Sequence, residues 1–207
     1  MTKVKICGIT NLADAKLVAD LGADMIGFNF YTGSKRYVSP AHAASFADVL
    51  TGGITRVGVF VDASVHEILL AKRLVQLDGI QLHGNESPRF IAELRDKVDA
   101  TMIKAIRVRS ALDIDSAKTF GADAILLDAY SSVDFGGTGE TFDWRFAERA
   151  GPGIKLLLAG GLTPENVAEA IRNVRPYAVD VASGVESSPG TKDTKKLEAF
   201  IKNAKNA

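Results

Sequence analysis

"IKLLLAGGLTPENVAEAIRNV", residues 154–174, holds one full cycle of the pattern that decides the fold. A leucine-rich run breaks at Gly160 and Gly161, and Thr163 then stands as a helix cap with Pro164 in the first helical position. A hydroxyl at the cap satisfies one of the N–H groups that a helix start leaves unpaired, and proline lacks the N–H that the first turn cannot use. The stretch therefore reads as strand, tight loop and helix. Because the strand is continuously apolar rather than alternating, it is expected to be covered on both faces, as in a parallel sheet.

The same unit recurs in both directions along the chain. Comparable runs are "VKICG" (4–8), "MIGFNF" (25–30), "RVGVFV" (56–61), "GIQLHG" (79–84), "TMIKAI" (101–106), "AILLDAY" (124–130) and "AVDVASG" (178–184). Their starts lie roughly 20 to 30 residues apart, the length that a strand, its loop and a return helix need. Helix signals fill the gaps. "NLADAKLVADLGA" opens on Asn11, "ESPRFIAELRDKV" sets Ser87 before Pro88, and "TKDTKKLEAFIKNAKNA" supplies a final helix. Eight βα units predict a closed (β/α)8 barrel, a TIM barrel, as a single domain over residues 1–207; a doubly wound open sheet is the runner-up. About 200 residues is the lower limit for a barrel of this kind, so its loops must be short.

Composition narrows the partners. Lys plus Arg and Asp plus Glu are 25 each, and no block of like charge marks a nucleic-acid or membrane surface. No signal peptide is seen and no segment approaches the roughly 20 apolar residues of a membrane span. The expectation is a soluble cytoplasmic protein, monomer or homodimer, acting on a small molecule. With 1 cysteine no intramolecular disulfide can form. No Cys/His cluster has metal-ligand spacing, so neither structural zinc nor another metal is expected.

In a parallel barrel the chemistry sits where the strands end, at the C-terminal mouth. Cys7 ends the first run, His83 the fourth and Asp128 the sixth, and Asp180 lies in the eighth. Cys7 reads either as a small buried hydrophobe or as a base. Side chains alternate along a strand, so Lys5 shares its face; if both point inward, the ammonium is expected to lower the thiol pKa. Asp128 closes a run so apolar that it reads either as a loop-capping acceptor or as a general acid, since desolvation favours a protonated carboxyl. Gly160 and Gly161, with Ser183 and Gly184 in "ASGVESSPG", suggest two loops whose backbone N–H groups bind a phosphate. A phosphorylated small molecule is the ligand they imply. Arg36, in "YTGSKRYVSP", is either a solvated surface charge or a bidentate partner for a ligand carboxylate, while Lys35 reads as surface. The glycine-rich stretch after Asp128 reads as a loop able to close over the site. The role of His83 stays open.

Taken together, "KICGIT", "SKRYVS", "QLHGNES", "LLDAY" followed by "GGTGETFDW", "LAGGLTPENV" and "DVASGVESSPGTKD" closely resemble the phosphoribosylanthranilate isomerases of tryptophan biosynthesis, from Lys5 to Asp193. The resemblance implies a cofactor-free (β/α)8 barrel catalysing an Amadori rearrangement, with Cys7 as general base and Asp128 as general acid. It assigns Arg36 to the anthranilate carboxylate, and Gly160, Gly161, Ser183 and Gly184 to the phosphate. Asp180 goes to the sugar hydroxyls or to Lys5, and His83 joins the substrate-binding set. The related isomerases of histidine biosynthesis, and bifunctional ones acting in both pathways, resemble a doubled half-barrel with an aspartate as the first-strand base and phosphate loops after the third and seventh strands. Here the first strand ends in Cys7 and "GVFVDASVHEI" has no glycine pair, which disfavours them. A binding module that kept the barrel and lost the chemistry is disfavoured by the presence of both Cys7 and Asp128.

Overall fold

In the computed structural model eight parallel strands close on themselves in chain order. They are β1 (Lys3–Cys7), β2 (Met25–Asn29), β3 (Thr55–Phe60), β4 (Gly79–Leu82), β5 (Thr101–Val108), β6 (Ala124–Ala129), β7 (Lys155–Leu158) and β8 (Ala178–Val181). Closure comes from β1 pairing with β8, Lys5 opposite Asp180. The structure describes residues 1–47, 50, 53–129, 144, 147 and 153–207.

The two faces of each strand have separate tasks. On β1, Val4 and Ile6 turn outward into a core shared with Ala15, Val18, Leu197 and Phe200 of the surrounding helices. The inward set includes Met25, Val57, Ile103, Ala105, Leu126, Leu157 and Ala178, a small apolar plug inside the barrel. Each buried Val, Leu or Ile stabilises the fold by roughly 1.5–3 kcal/mol relative to leaving it in water, so both faces contribute. Above this plug the inward positions become polar at the strand ends: Lys5, Gln81, His83, Asp128 and Asp180 are all buried.

Seven helices lie among the described residues: α1 (Leu12–Asp20), α2 (Pro40–Ala47), α3 (Val65–Val75), α4 (Pro88–Arg95), α5 (Ala111–Ala117), α6 (Val167–Val174) and α7 (Thr194–Lys205). The segment joining β6 to β7 falls outside them except at Trp144 and Ala147. Asn11 accepts from the Asp14 N–H at 2.9 Å and Ser87 from the Phe90 N–H at 3.2 Å, so both caps act as expected. The start of α6 differs. Residues 164–166 form a turn of their own, with the Asn166 amide accepting from Thr163 N and donating to the Gly161 carbonyl, and the helix begins only at Val167. Asn166 draws the chain back toward the glycine pair before the helix can propagate. None of the helices among the described residues is long and apolar enough to cross a membrane.

After β8 the chain makes a short hairpin, β9 (Glu186–Ser188) with β10 (Thr191–Lys192), which the hydrophobic pattern did not announce. It lies over the end of β1: Thr10 donates to the Gly190 carbonyl at 2.6 Å, and Asp14 accepts from Lys192 N at 2.9 Å.

Candidate active site

Strand alternation puts Lys5 and Cys7 on the inner face. Gly27, opposite Cys7 on β2, leaves them room: a Cβ there would stand 2.8 Å from Cys7 Sγ and 3.2 Å from Lys5 Nζ. Lys5 is completely buried and donates to Asp180 Oδ1 at 2.9 Å. Burial works against its charge, but the Asp180 carboxylate and the Cys7 sulfur outweigh it and hold the ammonium above its usual range. The thiol behaves otherwise than expected. Desolvation pushes Cys7 up, the Lys5 and Lys192 cations pull it down, Asp180 pushes it up again, and the net direction is upward. Lys5 shares the face of Cys7, as alternation predicted, yet its charge is shared with Asp180 and its pull on the thiol is outweighed.

Asp128 ends β6 on the opposite side of the mouth. His83 Nε2 is 3.4 Å from Asp128 Oδ2 and makes no hydrogen bond there. Gln81, two residues earlier on the same inward face, sets its amide nitrogen 3.1 Å from His83 Nδ1. Gln81 thus lies against one ring nitrogen while the other, Nε2, faces Asp128. The structure thus brings His83 to the carboxyl.

Arg36 reaches the mouth through a built loop rather than a free one. Asn29 accepts from Tyr31 N and donates to Ser34 Oγ, which accepts in turn from Arg36 N at 3.1 Å. The arginine stem then lies across Gly8, where a Cβ would approach Arg36 Cδ to 2.7 Å. Its guanidinium is held edge-on by Glu186, Nε to Oε1 at 2.9 Å and Nη2 to Oε2 at 2.7 Å. Lys192 completes the group. Its ammonium donates to Glu186 Oε1 at 3.0 Å, to the Cys7 carbonyl at 2.6 Å and to the Ala182 carbonyl at 3.3 Å. Burial lowers the Lys192 pKa despite Glu186, while the Arg36 and Lys192 contacts overcome burial to lower that of Glu186.

Sequence reasoning missed Glu186 and Lys192. They lie in a tract without hydrophobic periodicity, and only the "VESSPGTKD" motif drew notice to it.

The two glycine-bearing loops meet. Gly160 and Gly161 both take left-handed backbone, φ 82° and 62°. Gly184 passes so close to the β7 loop that a Cβ there would run into the Leu162 carbonyl. Ser183, Arg36 and Glu186 line a cavity of about 300 Å³ together with Lys35, Ser187, Ser188 and Pro189. The loop expected to close over the site, residues 130–143, lies outside the described residues. Among those described, no group of three or more His, Cys, Asp or Glu gathers as a metal site. The arrangement is thus a thiol and a carboxyl on facing strands, with a cationic clamp and two loops that approach backbone to backbone.

The family model for N-(5'phosphoribosyl)anthranilate (PRA) isomerase matches residues 4–203. The N-(5'-phosphoribosyl)anthranilate isomerase of Trichlorobacter lovleyi is 47% identical over 208 residues, covering all of both chains. The solved phosphoribosyl anthranilate isomerase of Thermotoga maritima superposes with a TM-score of 0.90 at 43% identity, again over both full chains. A further solved isomerase, in complex with reduced 1-(o-carboxyphenylamino)-1-deoxyribulose 5-phosphate, gives 0.87 at 42% with complete coverage of both.

Proposed function

The chain belongs to the N-(5'-phosphoribosyl)anthranilate isomerase family of tryptophan biosynthesis, and from that premise we propose that Cys7 is its general base and Asp128 its general acid. The substrate is N-(5-phosphoribosyl)anthranilate and the product 1-(2-carboxyphenylamino)-1-deoxyribulose 5-phosphate. The observation that carries the reading is the placement of one thiol and one carboxyl at the same end of one barrel, each with its own buried partner, Lys5 for Cys7 and His83 for Asp128.

Asp128 protonates the furanose ring oxygen, the C1–O bond breaks, and the anthranilate nitrogen takes up the positive charge as an iminium. Cys7 then removes the proton from C2, and that C–H electron pair neutralises the iminium to an enolamine. Tautomerisation gives the ketone. Each proton transfer is worth about 10²- to 10⁴-fold. Burial raises the thiol pKa, which makes its thiolate the stronger base toward a carbon acid, and Lys5 is the cation beside it. His83 Nε2 lies beside Asp128. Arg36 receives the anthranilate carboxylate, and Gly160, Gly161, Ser183 and Gly184 receive the phosphate on backbone N–H groups. Asp180 serves Lys5.

The test is direct: freshly made phosphoribosylanthranilate should lose its fluorescence on adding the protein. Tight binding of a reduced product analogue without turnover would leave only a binding module.

A further inference from the structure

Glu186 and Lys192 are buried charges that the mechanism above does not use, with side chains 4% and 0% exposed. Charges so desolvated persist only when paired, and these are paired in a particular direction. Glu186 spends both oxygens on Arg36, in the side-on fork that fixes a guanidinium plane, and one of them also on Lys192. Lys192 spends its remaining donors on the carbonyls of Cys7 and Ala182, the residues that end β1 and precede Ser183. The hairpin carrying both is pinned by Thr10 and Asp14 of the β1–α1 segment.

We propose that Glu186, braced by Lys192, is a positioning residue for Arg36, so that the cation receiving the substrate's carboxylate and the strand end carrying Cys7 are held as one rigid unit. The proposal rests on the reading that Arg36 binds that carboxylate. A bidentate carboxylate sets the plane and the tilt of the guanidinium, beside a cavity that both residues line.

Glu186→Gln keeps size and one acceptor but loses the charge. It should raise KM for phosphoribosylanthranilate about tenfold and change kcat less than threefold. Arg36→Met should raise KM at least as much, and the double variant should match Arg36→Met alone, since Glu186 then has nothing to position. Glu186→Asp, which keeps the charge on a shorter stem, should fall between wild type and Glu186→Gln; it also replaces the amide variant if that one does not fold by circular dichroism. If the Glu186 substitution raises KM equally with and without Arg36, or lowers only kcat, the positioning role is overturned. An Arg36→Met enzyme with unaltered KM instead overturns the reading of Arg36 itself, and the role of Glu186 with it.

Discussion

Two buried lysine–glutamate pairs stand on opposite sides of the barrel mouth and are built alike. Lys192 meets Glu186 at 3.0 Å and Lys104 meets Glu86 at 2.8 Å, and each ammonium also holds two main-chain carbonyls at a strand end. Lys192 holds those of Cys7 and Ala182, Lys104 those of Leu82 and Gly84, which bracket His83. Their glutamates diverge. Glu86 turns to backbone, accepting from Asp62 N and Gly84 N, so it ties the β3 and β4 loops together. Glu186 accepts from the Gly190 N–H but gives both oxygens to Arg36. The same device therefore ties two loops together on one side and holds a guanidinium on the other, and the residue at the far end of each chain of contacts makes the difference.

The largest effects should come from the groups the pairs surround. Cys7→Ser and Asp128→Asn should each reduce kcat by about 10²-fold or more while circular dichroism and phosphate-ligand affinity stay near wild type. A Cys7→Ser protein that unfolds would make the thiol a packing residue and remove one side of the comparison.

Next comes the architectural pair. Lys104→Met leaves Glu86 buried and unanswered, which should cost about 3–5 kcal/mol in a urea melt. Turnover of the protein that remains folded should change only a few-fold, because Lys104 touches the His83 segment through backbone alone. A large loss of kcat at preserved stability would erase the distinction between the two pairs.

The smallest effect sharpens the picture around the thiol. Cys7 is faced by Lys5 on its own strand, Asp180 on β8 and Lys192 on β10. Removing the Lys5 cation leaves desolvation and Asp180 to push the thiol further up, so Lys5→Met should move its alkylation profile to higher pH. The sign follows from charge: losing a nearby cation favours the neutral thiol. An unmoved profile would mean that Lys5 serves Asp180 alone.

The strand starts, the caps at Asn11 and Ser87, and the sharing of one face by Lys5 and Cys7 were legible because they depend on local rules of periodicity and capping, whereas the inward direction of that face was not. The delayed start of α6 was not, because Asn166 bonds back to residues that only the turn brings near. His83 was visible as a strand-end residue, but its pairing with Asp128 spans strands that are distant in sequence.

By itself the sequence determined the barrel, through eight repeats of an apolar run followed by a capped helix, and the strand ends that carry Cys7, Asp128 and the glycine loops. Only the tertiary structure decided the direction of the thiol's pKa, since desolvation and the sharing of Lys5 with Asp180 depend on what surrounds the sulfur in space. It alone also joined Arg36 to Glu186 and Lys192 to Cys7, contacts separated by 150 and 185 residues along the chain. Such pairings follow from closure of β1 against β8, which no local pattern encodes.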